Sequence, residues 1–391
     1  MRALSRRPGH RDRGRFVIRE AALRIVVAGG HSAGHIEPAM NLADAVRRLA
    51  PTAEITALGT VRGLDTTLIP ARGYQLELIP PVPFSRKLDI NLFQTPTRLL
   101  DSIRVAGAVL DQSGAEIVVG FGGYVALPAY VAARRRRLPI VVHEANARPG
   151  LANRVAARMT SHVFTATSRV RLPHAIPLGI PMRPSITGLD RRALRSAARR
   201  RFGLRGDGVV LLVTGGSQGA GTINAAVSGA VAALRAADIQ VLHITGSRHT
   251  VQIPAGRPSD PPYVVVDYMD EMRYAYAAAD FTVCRSGAMT CAELSAVGMP
   301  ATYVPLPQRG GEQALNAEPI VAGGGALLVD DSEFDPAWIE TNLIPVLTNP
   351  EQIAAMSAHA SATGAPDADT ALARYVLATV TRERRHRRRA L

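Results

Sequence analysis

Lysine is nearly missing. The 391 residues hold one, Lys87, so almost all of the 46 basic side chains are arginine. A Walker loop needs Gly-Lys-Ser/Thr after a strand, and Lys87 sits in FSRKLD with no glycine turn before it, which excludes that mode of phosphate binding. The same count leaves almost nothing for Schiff-base chemistry. Cysteine is also scarce: Cys284 and Cys291 form neither a C-x-x-C pair nor a metal array, which points to a reducing compartment. No uncharged apolar run approaches the roughly 20 residues of a membrane-spanning helix. The basic N-terminus is followed by a stretch broken by Arg19, Glu20 and Arg24, unlike a signal peptide. The metal-holding D-x-D pattern occurs only as Asp367-Ala368-Asp369, far from every glycine-rich turn, so neither a metal nor a cofactor is expected.

Charge is uneven. Of the formal +14, residues 1–20 and 382–389 each carry a net +5, leaving a mildly basic body. Such ends read as solvated, disordered tails or as segments that adhere to anionic surfaces. They alone would suggest a nucleic-acid partner, and none is expected.

What is present alternates. Short β-branched runs (RIVVAGG, EITALGT, EIVVGFGGY, PIVVHEAN) precede Ala/Leu/Arg helical stretches, and the order restarts after LGIPMRPSITG (178–188) with GVVLLVTGGSQGA, IQVLHITGS, YVVVDYMDEM, FTVCRSGAM and ATYVPLP. This order implies an α/β fold of two Rossmann-like, doubly wound parallel-sheet domains facing a cleft. Ligands in such sheets bind beyond the carboxyl ends of the strands. The Pro/Gly-rich segment 178–188 reads as a linker. The Pro-rich stretch LIPPVPFSRKLDINLF (78–93) reads either as an exposed apolar patch with nearby cations, suited to a membrane surface, or as a buried loop.

Five segments carry candidate chemistry. The first turn, Gly29-Gly30-His31-Ser32-Ala33-Gly34-His35, fails the dinucleotide fingerprint but offers backbone N–H groups and the positive end of a helix to a diphosphate. His35 there is either a general base or a helix cap. The second turn, Gly215–Ala220, has the same form and adds Ser217 and Gln218. In Cys284–Glu293, small residues end a strand and open a helix; Glu293 either complements the helix dipole or accepts two ribose hydroxyls. In HEANARPGLANR (143–154), Glu144 is either a second acid/base or the anchor of a hydrogen-bonded loop. Gln308, Glu312, Gln313 and Asn316 supply amides and a carboxylate suited to sugar hydroxyls.

Taken together and in order, GGHSAGHIEPAMNLADAV, VVGFGGYVALPAYVAA, VVHEANARPGLANR, LGIPMR, TGGSQGAGTIN, YMDEM, CRSGAMTCAELSAVGMPATYVPLP and GEQALNA resemble the MurG-type transferases of peptidoglycan synthesis, in their actinobacterial form. The resemblance implies a metal-independent, GT-B-type, inverting glycosyltransferase acting in cell-wall growth and division. Its donor would be UDP-N-acetylglucosamine. Its acceptor would be the undecaprenyl-diphosphate muramyl pentapeptide at the cytoplasmic face of the membrane, where the protein would sit peripherally on an anionic surface, with other cell-wall synthesis proteins as further partners. Matched position by position, the substrate site would include Ser32, Ala33, Gly34, Asn146, Arg183, Ser217, Met269, Ala288, Met289, Thr290, Cys291, Ala292, Glu293 and Gln313. His35 would be the base, with Glu144 second. The implied organisation is a basic tail (1–20), an acceptor-side domain (21–182), a UDP-sugar domain (183–365), a helix packing back on the first domain (366–381) and a basic tail (382–391). A UDP-N-acetylglucosamine 2-epimerase of the same fold and a dinucleotide-dependent oxidoreductase are the rival readings.

Overall fold

A computed structural model describes residues 22–82, 90–216, 218–307 and 311–390. Among these, thirteen strands form two sheets. The first contains β1 (Arg24–Gly29), β2 (Glu54–Gly59), β3 (Gln75–Leu78), β4 (Ile117–Gly122), β5 (Ile140–Glu144), β6 (Val163–Thr165) and β7 (Ala175–Pro177), in the order β3-β2-β1-β4-β5-β6-β7. The second contains β8 (Val210–Thr214), β9 (Gln240–Ile244), β10 (Tyr263–Val266), β11 (Phe281–Cys284), β12 (Ala301–Tyr303) and β13 (Ala326–Leu328), in the order β10-β9-β8-β11-β12-β13. The pairings within both sheets are parallel. The central strands β4, β5, β8, β9 and β11 are buried along their whole length, which is why they read as continuous apolar runs rather than alternating ones. In each sheet the order reverses beside the first strand, at β1/β4 and β8/β11, and both glycine turns lie at these switch points.

Arginine knits the second domain. Helix Arg191–Arg201 is capped by Asp190, whose side chain accepts from the Ala193 amide. From it, the Arg199 guanidinium, 1% exposed, donates to the carbonyls of Ala278, Arg205, Gly206, Asp207 and Gly208 and to Asp280. Arg191 donates to the carbonyls of Tyr276, Val297, Gly298 and Ala279. Five donors in a rigid fork suit such loop closures, and an ammonium does not.

The C-terminal helix, Ala368–Ala390, returns to the first domain and lies along helix Ala33–Leu49. Its Leu372, Ala373, Val376 and Val380 are fully buried in the first domain's core, and the Tyr375 hydroxyl reaches His162 Nδ1 at 2.6 Å. The helix runs on through 382–390, in the segment that the charge pattern marks as a solvated tail. Arg384 holds it there by donating to both oxygens of Glu116 and to the Ala22 carbonyl. The segment 178–188 is likewise more than a linker: Pro184–Thr187 is helical, and Asn41 grips the Pro181 carbonyl at 2.9 Å. Gly179, at φ +93°, lies so close to the returning chain that a Cβ would stand 2.4 Å from Ala365 Cβ.

Of the stretch 78–93, residues 83–89 lie outside the described residues, as does the tail 1–20. The rest is not a continuous exposed patch. Ile79 and Val82 are core residues, and a helix, Ile90–Gln112, begins inside the stretch. No described helix is long and apolar enough to cross a membrane.

Candidate functional site

The two glycine turns of the first domain meet back to back. A Cβ on Gly123 would stand 2.7 Å from the Gly30 carbonyl, so β1 and β4 end in touching turns that tolerate no side chain. Asp65, fully buried, ties this corner by accepting from the amides of His31 and Thr60 at 2.8 and 2.9 Å. Helix Ala33–Leu49 then opens behind an extended Ser32, and the amides of Ala33 and Gly34 lie in its unpaired first turn.

His35 stands where this helix meets the second turn. Its Nδ1 is 2.9 Å from Ser32 Oγ, and its Cδ2–Nε2 edge lies against Gly122. Burial, reinforced by His31 and opposed by Asp65, holds its pKa below the ordinary 6.5, so the ring is neutral at pH 7 and able to take a proton.

Glu144 differs from the acid/base expectation. It is 1% exposed, Oε1 accepts from the Asn146 amide, and Oε2 accepts from the Gly150 amide and Asn153 Nδ2, all within 3.0 Å. Both oxygens are thus spent on shaping the loop that carries Asn146. Asn153 and Tyr130, which sequence reasoning missed, complete this network: the Tyr130 hydroxyl donates to Asn153 Oδ1 at 2.8 Å. Burial pushes Glu144 up to about 7 despite its three donors.

The facing wall is helix Ala288–Ala296, which follows β11 behind Gly287. The amides of Ala288, Met289 and Thr290 form its open first turn. Cys291, expected as a substrate contact, is buried; its amide donates to the Gly287 carbonyl and is not free for a ligand, while the residue still lines the cavity between the walls. Burial pushes its thiol up to about 12. Glu293 lies further along the helix; Oε2 accepts from the Tyr276 hydroxyl at 2.7 Å, and burial raises its pKa against the opposing charge of Arg183. Gln313 turns its carbonyl to the Leu306 amide at 2.9 Å, which leaves its NH₂ for a ligand. Met269 packs its side chain against the second core, leaving its backbone at the carboxyl end of β10. Ser217 and Gln308 lie outside the described residues. The pair Asp367/Asp369 is no cation holder, because Asp369 is bound to Arg48 at 2.5 Å.

The walls meet across a cavity of about 80 Å³, bounded by Ala145 and Ala147 on one side and Ala288, Ala292 and Asn316 on the other. Asn316 spans it, accepting from the Ala147 amide at 2.8 Å and donating to the Ser286 carbonyl at 3.3 Å. Arg169 and Glu318 add an ion pair between the domains. Arg183 stands at the junction, donating to Glu37 Oε2 at 2.6 Å.

Two parallel-sheet domains, each with a glycine turn at its switch point and helix N-termini directed at a shared cleft, define a GT-B-type glycosyltransferase. Residues 25–165 match the glycosyltransferase family 28 N-terminal domain and residues 210–372 the family 28 C-terminal domain. The chain belongs to glycosyltransferase family 28. A Rhodococcus jostii protein named UDP-N-acetylglucosamine--N-acetylmuramyl-(pentapeptide) pyrophosphoryl-undecaprenol N-acetylglucosamine transferase is 53% identical over 370 residues, covering 92% of this chain and 96% of that protein. A Mycolicibacterium smegmatis protein of the same name is 53% identical over 378 residues, covering 95% and 96%. Among solved structures, MurG of Acinetobacter baumannii superposes with a TM-score of 0.72 at 24% identity, covering 91% of this chain and 99% of that one. A UDP-N-acetylglucosamine 2-epimerase from Neisseria meningitidis does so at 0.63 and 14% identity, covering 91% and 100%. These two likenesses speak for the fold alone.

Proposed function

We propose that this chain transfers N-acetylglucosamine from UDP-N-acetylglucosamine to the 4-hydroxyl of the lipid-linked N-acetylmuramyl pentapeptide. One observation carries the reading: 53% identity over 92% of the chain to a relative named for that transfer. In this reading the donor diphosphate lies on the Ala288–Thr290 amides, where the helix end supplies roughly half a positive charge, with Arg183 beside it. Glu293 accepts the ribose hydroxyls, the Met269 backbone flanks the uracil, and Asn146 and the Gln313 NH₂ meet the sugar. Ser32, Ala33 and Gly34 border the donor, and the amides of this first turn also face the acceptor diphosphate.

His35 takes the proton from the acceptor hydroxyl. That oxygen then attacks the anomeric carbon from the side opposite UDP, the glycosidic bond to UDP breaks, and configuration inverts. Helix dipole and guanidinium stabilise the departing diphosphate. Because its lipid acceptor resides in a membrane, the protein docks peripherally on the cytoplasmic face, its arginine-rich ends against anionic headgroups and other cell-wall synthesis proteins within reach.

The test is incubation with labelled UDP-N-acetylglucosamine and a short-chain lipid acceptor, read as a disaccharide product. His35→Ala should slow turnover by about 10²–10⁴-fold, the usual contribution of a general base, while donor binding is nearly kept. Equal turnover in variant and wild type removes His35 from the mechanism.

A further inference from the structure

Glu37, Asn41 and Asp44 are polar residues spaced four and three apart on a helix that otherwise buries Ile36, Met40, Leu42 and Ala43. Their spacing places all three on one face. Two guanidinium groups converge there. Arg72 forks over the face, donating to Glu37 Oε2 at 3.0 Å, Asn41 Oδ1 at 3.0 Å and Asp44 Oδ2 at 2.5 Å. Arg183 reaches the same Glu37 oxygen at 2.6 Å, from the segment that Asn41 holds through the Pro181 carbonyl. Asp44 is braced in turn by the Tyr74 hydroxyl at 2.6 Å. Arg183 also feels Glu293 on the far wall, and Glu293 feels Arg183 and Glu37 with opposite signs.

A guanidinium between two carboxylates goes to whichever holds it better. Paired with Glu293, Arg183 would cover the oxygen that Tyr276 leaves open and would turn from the diphosphate. We propose that Glu37 is a positioning residue for the donor: backed by Arg72, it holds the Arg183 guanidinium off Glu293, so that arginine and carboxylate both stay open to the nucleotide sugar. The proposal rests on the functional reading above and deepens it, since it makes Glu37 and Arg72 the device that sets donor affinity without touching the donor.

Steady-state kinetics with UDP-N-acetylglucosamine and a short-chain lipid acceptor test it, using Glu37→Gln, Arg183→Gln and the double variant. Loss of one charge-assisted contact corresponds to about tenfold in KM for the donor, and kcat should move less than KM. The double variant should be no worse than Arg183→Gln alone, because Glu37 acts through Arg183. Glu37→Asp, which keeps the charge, should recover part of the loss. A merely structural role would lower thermal stability, shift kcat and KM together, and add to the Arg183 effect. A wild-type KM in Glu37→Gln, or additive penalties, overturns the proposal alone. Wild-type protein that ignores UDP-N-acetylglucosamine overturns the functional reading and this proposal with it.

Discussion

Replacing Arg199 by lysine tests the claim that guanidinium forks hold the second domain together. The side chain is 1% exposed and donates to six acceptors: five backbone carbonyls and Asp280 Oδ2. An ammonium has three donors on a stem without a fork, so at least three acceptors lose their partner. Asp280 keeps Arg195 at 2.7 Å, so the orphans are mainly carbonyls of the Arg205–Gly208 turn. At about 1 kcal/mol for each lost bond, the substitution costs about 3 kcal/mol. The chain's single tryptophan, Trp338, packs against Phe334 in the same domain and reports on it by fluorescence. With a urea m-value of about 3 kcal/mol/M, the midpoint should fall by about 1 M. A shift below about 0.3 M would mean that water or neighbouring side chains satisfy those carbonyls equally well, and the reasoning would fail.

Leu372→Ala removes a fully buried side chain from the first domain's core and should cost about 3 kcal/mol, seen in the thermal unfolding of the full chain. A loss under 1 kcal/mol would show that the C-terminal helix is only loosely docked. For Glu144, burial raises the pKa from 4.5 to about 7. The folded chain therefore binds a proton between these values that the unfolded chain lacks. The resulting stabilisation is full below about pH 4.5 and is lost as pH rises through 7. Glu144→Gln removes that titration, so the stability gap to wild type should shrink by about 3 kcal/mol between pH 5 and pH 8. A gap independent of pH would show that the three donors keep the carboxylate ionised throughout.

Much of the fold was legible because buried parallel strands are continuous apolar runs that end in glycine, as at β1 and β4, or lead into a turn that contains one, as at β8 and β11. The short strands β3, β6, β7 and β13 carry too few positions to show a period, whereas β10, β11 and β12, equally short, were marked by the glycine- or proline-bearing segments that follow or flank them. The helical course of 382–390 was hidden for another reason: local charge marks a tail, and the partner that orders it, Glu116, is 268 positions away. In the site, the turns and the residues around them were legible as motifs. The use of Glu144's two oxygens was not, because Asn153 and Gly150 reach it only once helix Leu151–Ala156 has formed. Glu37 did leave a signal, an acidic residue spaced with Asn41 and Asp44 on an apolar helix, but the arginines that give it meaning come from elsewhere in the chain.

The wall formed by Leu372, Ala373, Val376 and Val380 has a consequence for biosynthesis. Synthesis runs from the N-terminus, and domains generally fold as they emerge. Here the first half of the message encodes an unfinished globule, with helix Ala33–Leu49 bare along one flank until the segment from residue 368 onward has been translated. A nascent chain stalled before residue 368 would thus present greasy surface to chaperones and proteases.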